Sequence, residues 1–144
     1  MPQTADWFVW AVLSAIFAAL TAIFAKVGLE GVDSDFATLL RTAIIIVILA
    51  IFVAAVGKWQ NPMSLSNKTL LFLTLSALAT GASWVCYFRA LQMGNASQVA
   101  PVDKLSVVLV AIFAVAFLKE RPSPRDWAAI GLITVGVIIL GLRK

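Results

Sequence analysis

Charged residues divide this sequence into five long uncharged runs, residues 7–25, 42–57, 69–88, 105–118 and 127–142, of 19, 16, 20, 14 and 16 residues. A helix rising 1.5 Å per residue needs about 20 residues to cross some 30 Å of hydrocarbon. Only the first and third runs reach that length alone. The second extends back through residues 36–40, which draws Arg41 into the span, and the fourth through residues 97–102, which draws in Asp103 and Lys104. The fifth ends with Arg143 and Lys144 snorkelling to the surface and begins with Trp127 in the aromatic belt. The pattern therefore predicts helical spans over residues 7–27, 36–56, 69–91, 97–118 and 126–142. Strands would need alternating polarity over about ten residues, which is absent. Unpaired backbone cannot face lipid, so each span must be helical.

The connections carry turn formers: residues 28–35, 58–68 with Asn61-Pro62, 93–96 with Gly94-Asn95, and 120–126 with Pro122 and Pro124. None holds a soluble domain, so the expected architecture is one all-α membrane domain over residues 1–144, a bundle of five transmembrane helices. Composition agrees, since 62% of the residues are hydrophobic, 12% are charged, and the mean hydropathy is +1.00. The net charge of +4 comes from Lys and Arg scattered singly or in pairs, which fits headgroup anchors and leaves no basic stripe for nucleic acid. One Cys and no His exclude a disulfide framework and any His-based metal site. The first run follows a segment without Lys or Arg and is too long for a signal-peptide core, so it reads as a retained span.

The polar residues inside the spans are the candidate chemistry. Asp103 and Lys104 follow Pro101. Either Pro101 and Asp103 occupy the first helical turn while Lys104 snorkels, or Pro101 marks an irregular stretch lining a cavity, with Asp103 or Lys104 facing a solute route. Arg41 and Lys26 bracket a loop holding Glu30, Asp33 and Asp35. They either close it with interfacial ion pairs, or Arg41 serves as a fixed cation for anionic or carboxylate-bearing solutes. On the third helix Ser76, Thr80, Ser83 and Tyr87 recur at spacings of 4, 3 and 4, with Trp84 and Phe88 nearby on another part of its surface. Small hydroxyls serve packing more often than binding, but flat rings such as Trp84 and Tyr87 suit small organic solutes. The first helix carries Ser14, Ala18, Thr21 and Ala25 on one face, with Trp10 a turn before. The fifth is apolar apart from Thr134 and carries Gly131, Gly136 and Gly141, which suits close packing against another helix or subunit. Glu120 ends the fourth helix, where pairing with Arg121 or Arg125 would offset the helix dipole.

Catalytic signatures are missing: no His for a triad or zinc, no GxSxG, no phosphate-cradling loop, and one Cys in an apolar span. The sequence predicts no enzyme, no cofactor and no metal. The order Lys26-Val27-Gly28-Leu29, Arg41-Thr42, Tyr87-Phe88-Arg89-Ala90-Leu91, and Ala100-Pro101-Val102-Asp103-Lys104-Leu105-Ser106 through Leu118-Lys119-Glu120-Arg121 resembles the EamA-like branch of the drug/metabolite transporter superfamily. It is most similar to the short five-helix bacterial and archaeal form. The resemblance covers nearly the whole chain, and the fourth-helix motif is its most specific part.

Most members of that superfamily have ten helices in two inverted halves and move small metabolites. The resemblance thus implies half of a ten-helix inverted-repeat transporter, multi-pass in the cytoplasmic (inner) membrane, with its first four helices around the path and the fifth at the edge. An alternative is a membrane partner that stabilises or regulates another complex without transporting. Residues on the expected path are Trp10, Ser14, Thr21, Arg41, Ser76, Thr80, Ser83, Trp84, Tyr87, Pro101, Asp103 and Lys104. Basic residues give little orientation bias. Lys58, Lys68, Lys119, Arg121 and Arg125 lie on the N-terminal side, and Arg89, Arg143 and Lys144 on the other, joined by Lys26 if it reaches the interface. Either insertion is compatible with that count. The expected partners are the lipid bilayer, a small-molecule substrate and a second copy in an antiparallel homodimer, with no nucleic acid.

Overall fold

The structure, a computed structural model, describes residues 3–142. Five stretches are long and apolar enough to cross a membrane: Trp7–Gly28, Ser34–Ala55, Asn67–Met93, Ala96–Leu118 and Pro124–Gly141. No strand occurs among the described residues. The protein is an all-helical membrane protein. The expected anchoring by Arg143 and Lys144 lies outside the described residues.

The elements are α1 (Gln3–Gly28), α2 (Ser34–Ala55), a 3₁₀ turn (Pro62–Ser64), α3 (Asn67–Met93), α4 (Ala96–Asp103), α5 (Ser106–Phe113), a π turn (Ala114–Leu118) and α6 (Pro124–Gly141). Short polar side chains start them by accepting the backbone N–H groups that a first turn leaves unpaired. Asp33 Oδ1 accepts from the amides of Asp35 and Phe36 at 2.9 and 3.1 Å to open α2. Ser66 Oγ accepts from the Thr69 amide at 3.1 Å near the start of α3. Ser123 and Asp126 form a reciprocal capping box at α6, with Pro124 as its first residue. The chain turns away from α1 and α2 through Gly31 at φ 73° and Gly57 at φ 64°, a backbone region that only glycine enters without strain.

The fourth span is not one continuous α-helix. Pro101 sits inside α4, whose first residue is Ala96, so the first-turn alternative does not describe it. Without an N–H, proline cannot bond the carbonyl four residues back, and its ring crowds that carbonyl. The following amides tighten instead: Lys104 N bonds Pro101 O at 2.9 Å, Leu105 N bonds Val102 O at 3.0 Å, and Val107 N bonds Lys104 O at 3.0 Å. A turn at Lys104–Leu105 separates α4 from α5. Beyond α5 the helix widens into the π turn and stops at Lys119, which is left-handed at φ 57°.

Contacts group the chain into two compact units: residues up to Ile23 together with those from Met93 onward, and Phe24–Gln92. In Phe24–Gln92, the start of α2 is tied to the end of α3. Arg89 grips Asp35 with two parallel bonds, Nε to Oδ1 at 2.9 Å and Nη2 to Oδ2 at 2.6 Å. Gln92 Nε2 donates to Val32 O at 3.0 Å, and Lys26 Nζ donates to Leu91 O at 2.6 Å, where the last turn of α3 leaves carbonyls unpaired. Leu29, Phe88 and Leu91 are buried there, with Ser34 and Thr38. Arg89 therefore makes an ion pair at this loop, and among the described residues Arg41 does not.

In the other unit α4 packs on α6. A Cβ placed on Gly141 would stand 3.4 Å from Val102 Cγ2, which is the close packing expected of a glycine on the last helix. Gly131 and Gly136 have nothing within 4 Å of such a Cβ, so their faces are open. Glu120 forms no ion pair among the described residues, and the expected bond to Arg121 or Arg125 is not made. Long apolar side chains along the spans, such as Phe52 and Leu132, are exposed, the normal state of a lipid-facing helix.

Candidate solute-binding site

A cavity of about 620 Å³ lies between α2 and α3. From α2 it takes Asp35, Thr38, Leu39 and Thr42, one face at spacings of three and four. From α3 it takes Ser76, Thr80, Gly81 and Trp84 with the apolar Leu73, Ala77 and Val85. Residues 73–85 cover roughly 18 Å of helix, more than half the ~30 Å hydrocarbon thickness. A volume in the range of small-molecule pockets thus runs at membrane depth. Open space lies over Gly81, where a built Cβ meets nothing within 4 Å.

The polar lining has a definite sense. Thr38 Oγ1 donates to Ser34 O at 2.8 Å, Thr42 Oγ1 to Thr38 O at 2.7 Å, and Thr80 Oγ1 to Ser76 O at 2.8 Å. Each hydroxyl spends its proton on its own helix and keeps lone pairs as acceptors. The walls are otherwise apolar, so solvation inside the cavity depends on few groups.

Arg41 stands beside this lining, the eighth residue of α2 and about 10 Å along it. Its guanidinium lies 4.5 Å over the ring of Trp84 and 5.3 Å over that of Phe88. Each such contact contributes about 0.5–2 kcal/mol, the higher figure where water is excluded. Aromatic rings attract the ion without accepting an N–H in the way an oxygen does. Among the described residues, Nη1 is buried without a hydrogen-bond acceptor and no carboxylate lies within 4.0 Å of the guanidinium. At one end of the cavity the situation is reversed, since Asp35 is matched there by the fork of Arg89.

The remaining expected path residues are distributed as follows. Ser83 is exposed on α3, and Tyr87 is half-buried with its ring edge-on to Phe88 at 6.4 Å; neither lines the cavity. Trp10, Ser14 and Thr21 belong to the other unit; the first two are exposed, and Thr21 Oγ1 donates to Phe17 O at 2.8 Å. Pro101, Asp103 and Lys104 belong to that unit too, with Lys104 Nζ 3.4 Å from Asp103 Oδ2. A second hollow of about 410 Å³ beside α5 and α6 is lined by Glu120, Arg121 and Asp126 among apolar residues, but Asp126 is engaged in its capping box. No group of three or more potential metal ligands occurs among the described residues.

Residues 6–142 match the family model of the EamA-like transporter family. The chain belongs to this family. An uncharacterized transporter in the cobO 3' region of a Sinorhizobium species is 54% identical over 95% of the chain and 97% of its own length. A probable 4-amino-4-deoxy-L-arabinose-phosphoundecaprenol flippase subunit ArnE of Hamiltonella defensa is 28% identical over 60% of the chain and 77% of its own length. An uncharacterized protein of Methanocaldococcus jannaschii is 25% identical over 92% of the chain and 93% of its own length. No solved structure matches the chain. It is a multi-pass membrane protein of a transporter family.

Within this EamA-like chain, Ser76, Thr80 and Trp84 share the cavity, and Arg41 touches it through Trp84. The sequence analysis missed the α2 wall. Asp35, Thr38 and Thr42 sit at spacings of three and four, a readable signal hidden by the aliphatic residues between them. Gly81 carried no signal of its own, being one small residue among several on α3.

Proposed function

We propose that this chain is one half of a secondary transporter that moves a small organic metabolite across the cytoplasmic membrane, with the α2–α3 cavity as its solute path. The observation that carries this reading is the cavity itself: hydroxyl oxygens and an indole at membrane depth, where lipid alone would favour an apolar wall. Transporter names among the relatives support it. Alternating access in inverted-repeat transporters needs two oppositely oriented halves around a midplane site, and five spans supply one. The second half is a second copy related by a two-fold axis in the membrane plane, an antiparallel homodimer. The open faces at Gly131 and Gly136 on α6 are where another chain has room to pack. The irregular stretch from Pro101 to Leu105 is the part of the backbone best suited to change shape during the cycle.

One relative is named as a flippase subunit, which favours a second reading, a heteromer in which this chain supports a different partner. Reconstitution separates the two. The purified chain alone, in sealed vesicles preloaded with a metabolite mixture, is expected to catalyse counterflow of a labelled component. Thiol labelling of single cysteines at the two termini is expected to find each terminus on both sides of the membrane. Counterflow only when a second gene product is added, with every molecule in one orientation, would contradict the homodimer and support the heteromer.

A further inference from the structure

We propose that the solute is an organic anion, a carboxylate or phosphate ester, and that the N–H edge of Arg41 is its anchor. The inference rests on the α2–α3 cavity being the solute path. The charges of Phe24–Gln92 carry it. Arg89 is matched by Asp35, and Lys26 donates to the Leu91 carbonyl. Arg41 lies deeper than either, about two turns inside its span, and has neither carboxylate nor carbonyl; its Nη1 is buried and unpaired. A buried donor without an acceptor is costly in water-soluble interiors and more so in hydrocarbon, so such a group calls for a specific explanation. Aromatic faces stabilise a guanidinium without neutralising it.

The missing element is a negative oxygen. A guanidinium against aromatic rings still offers its in-plane N–H groups, the geometry that carboxylate and phosphate oxygens meet in pairs. Trp84 links the two parts: one ring serves the Arg41 stack and also lines the cavity, so an anion reaching Arg41 places its organic body among Trp84, Thr80 and Thr42. The hydroxyl oxygens there, with their protons committed to their own helix, accept from hydroxyl or amino groups of that body. Nη1 is covered in this conformation, so arrival of the anion shifts the guanidinium partly off the rings, an exchange of cation–π contacts for charge-assisted hydrogen bonds.

The test uses the full chain in phosphatidylcholine nanodiscs, with thermal unfolding as the readout, because a ligand of the native state raises its stability. The probes are benzoate and phenyl phosphate, their neutral counterparts benzamide and phenol, and the cation benzyltrimethylammonium. Benzoate or phenyl phosphate is expected to raise Tm with concentration while the other three do not. Arg41→Gln is expected to weaken that response about tenfold or more, the worth of a charged hydrogen bond. Arg41→Lys, which keeps the charge and loses the fork, falls between and carries the test should the glutamine variant not fold. In discs containing phosphatidylglycerol, a wild-type Tm already raised and less responsive to benzoate would identify a lipid headgroup as the source of the same anion chemistry. An unchanged baseline would identify a free solute. The proposal is overturned if neither anion stabilises wild type, or if both variants respond as wild type does. Benzamide stabilisation lost in Gly81→Leu but kept in Arg41→Gln would overturn the anion and leave the cavity as the path. An Arg41-dependent anion response indifferent to Gly81→Leu would leave the anchor and remove the cavity from the path.

Discussion

The pair α2 and α3 and the stretch from α4 to α6 meet the same lipid solvent in different ways. In the first, the helices are regular, their polar side chains gather on facing surfaces, and the ends are fastened by the Asp35–Arg89 fork and the Gln92 and Lys26 bonds. The result is an open groove lined by both helices, with Arg41 beside it and no carboxylate within 4.0 Å of it among the described residues. In the second, the backbone is the irregular part: Pro101 within α4, a turn at Lys104–Leu105, a π turn, and left-handed Lys119. Regular helices with fixed ends suit a binding surface, since a side chain is positioned only as well as its backbone. Broken helices suit a change of shape, because their backbone bonds are already partly exchanged.

The comparison breaks most severely if the cavity wall is filled. Gly81→Leu places a branched side chain where no atom lies within 4 Å, so the chain should fold and solute flux should fall to background. Flux at the wild-type rate, with the variant present in the membrane at normal amount, would remove the cavity from the path. A smaller effect is expected in the irregular region. Pro101→Ala restores an amide and lets α4 run toward α5, and several-fold slower turnover with unchanged solute affinity is the expected outcome. A change in affinity with turnover intact would give that segment a binding role instead.

These assignments were unequally legible in the sequence. Charge spacing located the five spans to within a few residues, because burying charge in hydrocarbon outweighs every local preference. Arg41 inside the second span followed from length alone. The polar stripe of α3 was visible by periodicity, but the cavity lining was not: it includes Trp84 and Gly81 and leaves out Ser83 and Tyr87. Asp35 and Arg89 are 54 positions apart, so their pairing depends on how α2 and α3 pack, and no local pattern encodes it. The break after Pro101 was readable as a proline effect. The π turn was not, because Ala-Val-Ala-Phe-Leu is an ordinary helical run.

Two smaller substitutions sharpen the contrast between fastened ends and irregular backbone. Asp33→Ala removes the acceptor of two amides at the start of α2 and should cost about 1 kcal/mol in denaturant unfolding. Lys119→Gly relieves a left-handed residue and should stabilise by at most about 1 kcal/mol. A stabilising Asp33→Ala, or a destabilising Lys119→Gly, would show that local geometry is not what sets these termini.

The central claim is that solute crosses along the facing surfaces of α2 and α3, and water access to Thr80 tests it most directly. Thr80→Cys in a Cys86→Ser background, in sealed vesicles, is treated with a membrane-impermeant thiol reagent added to one side and then to the other. Labelling from both sides, slowed by transported solute, is the result this account predicts. A thiol that neither side reaches, or that lipid-soluble reagents alone modify, would place Thr80 in the bilayer and contradict it.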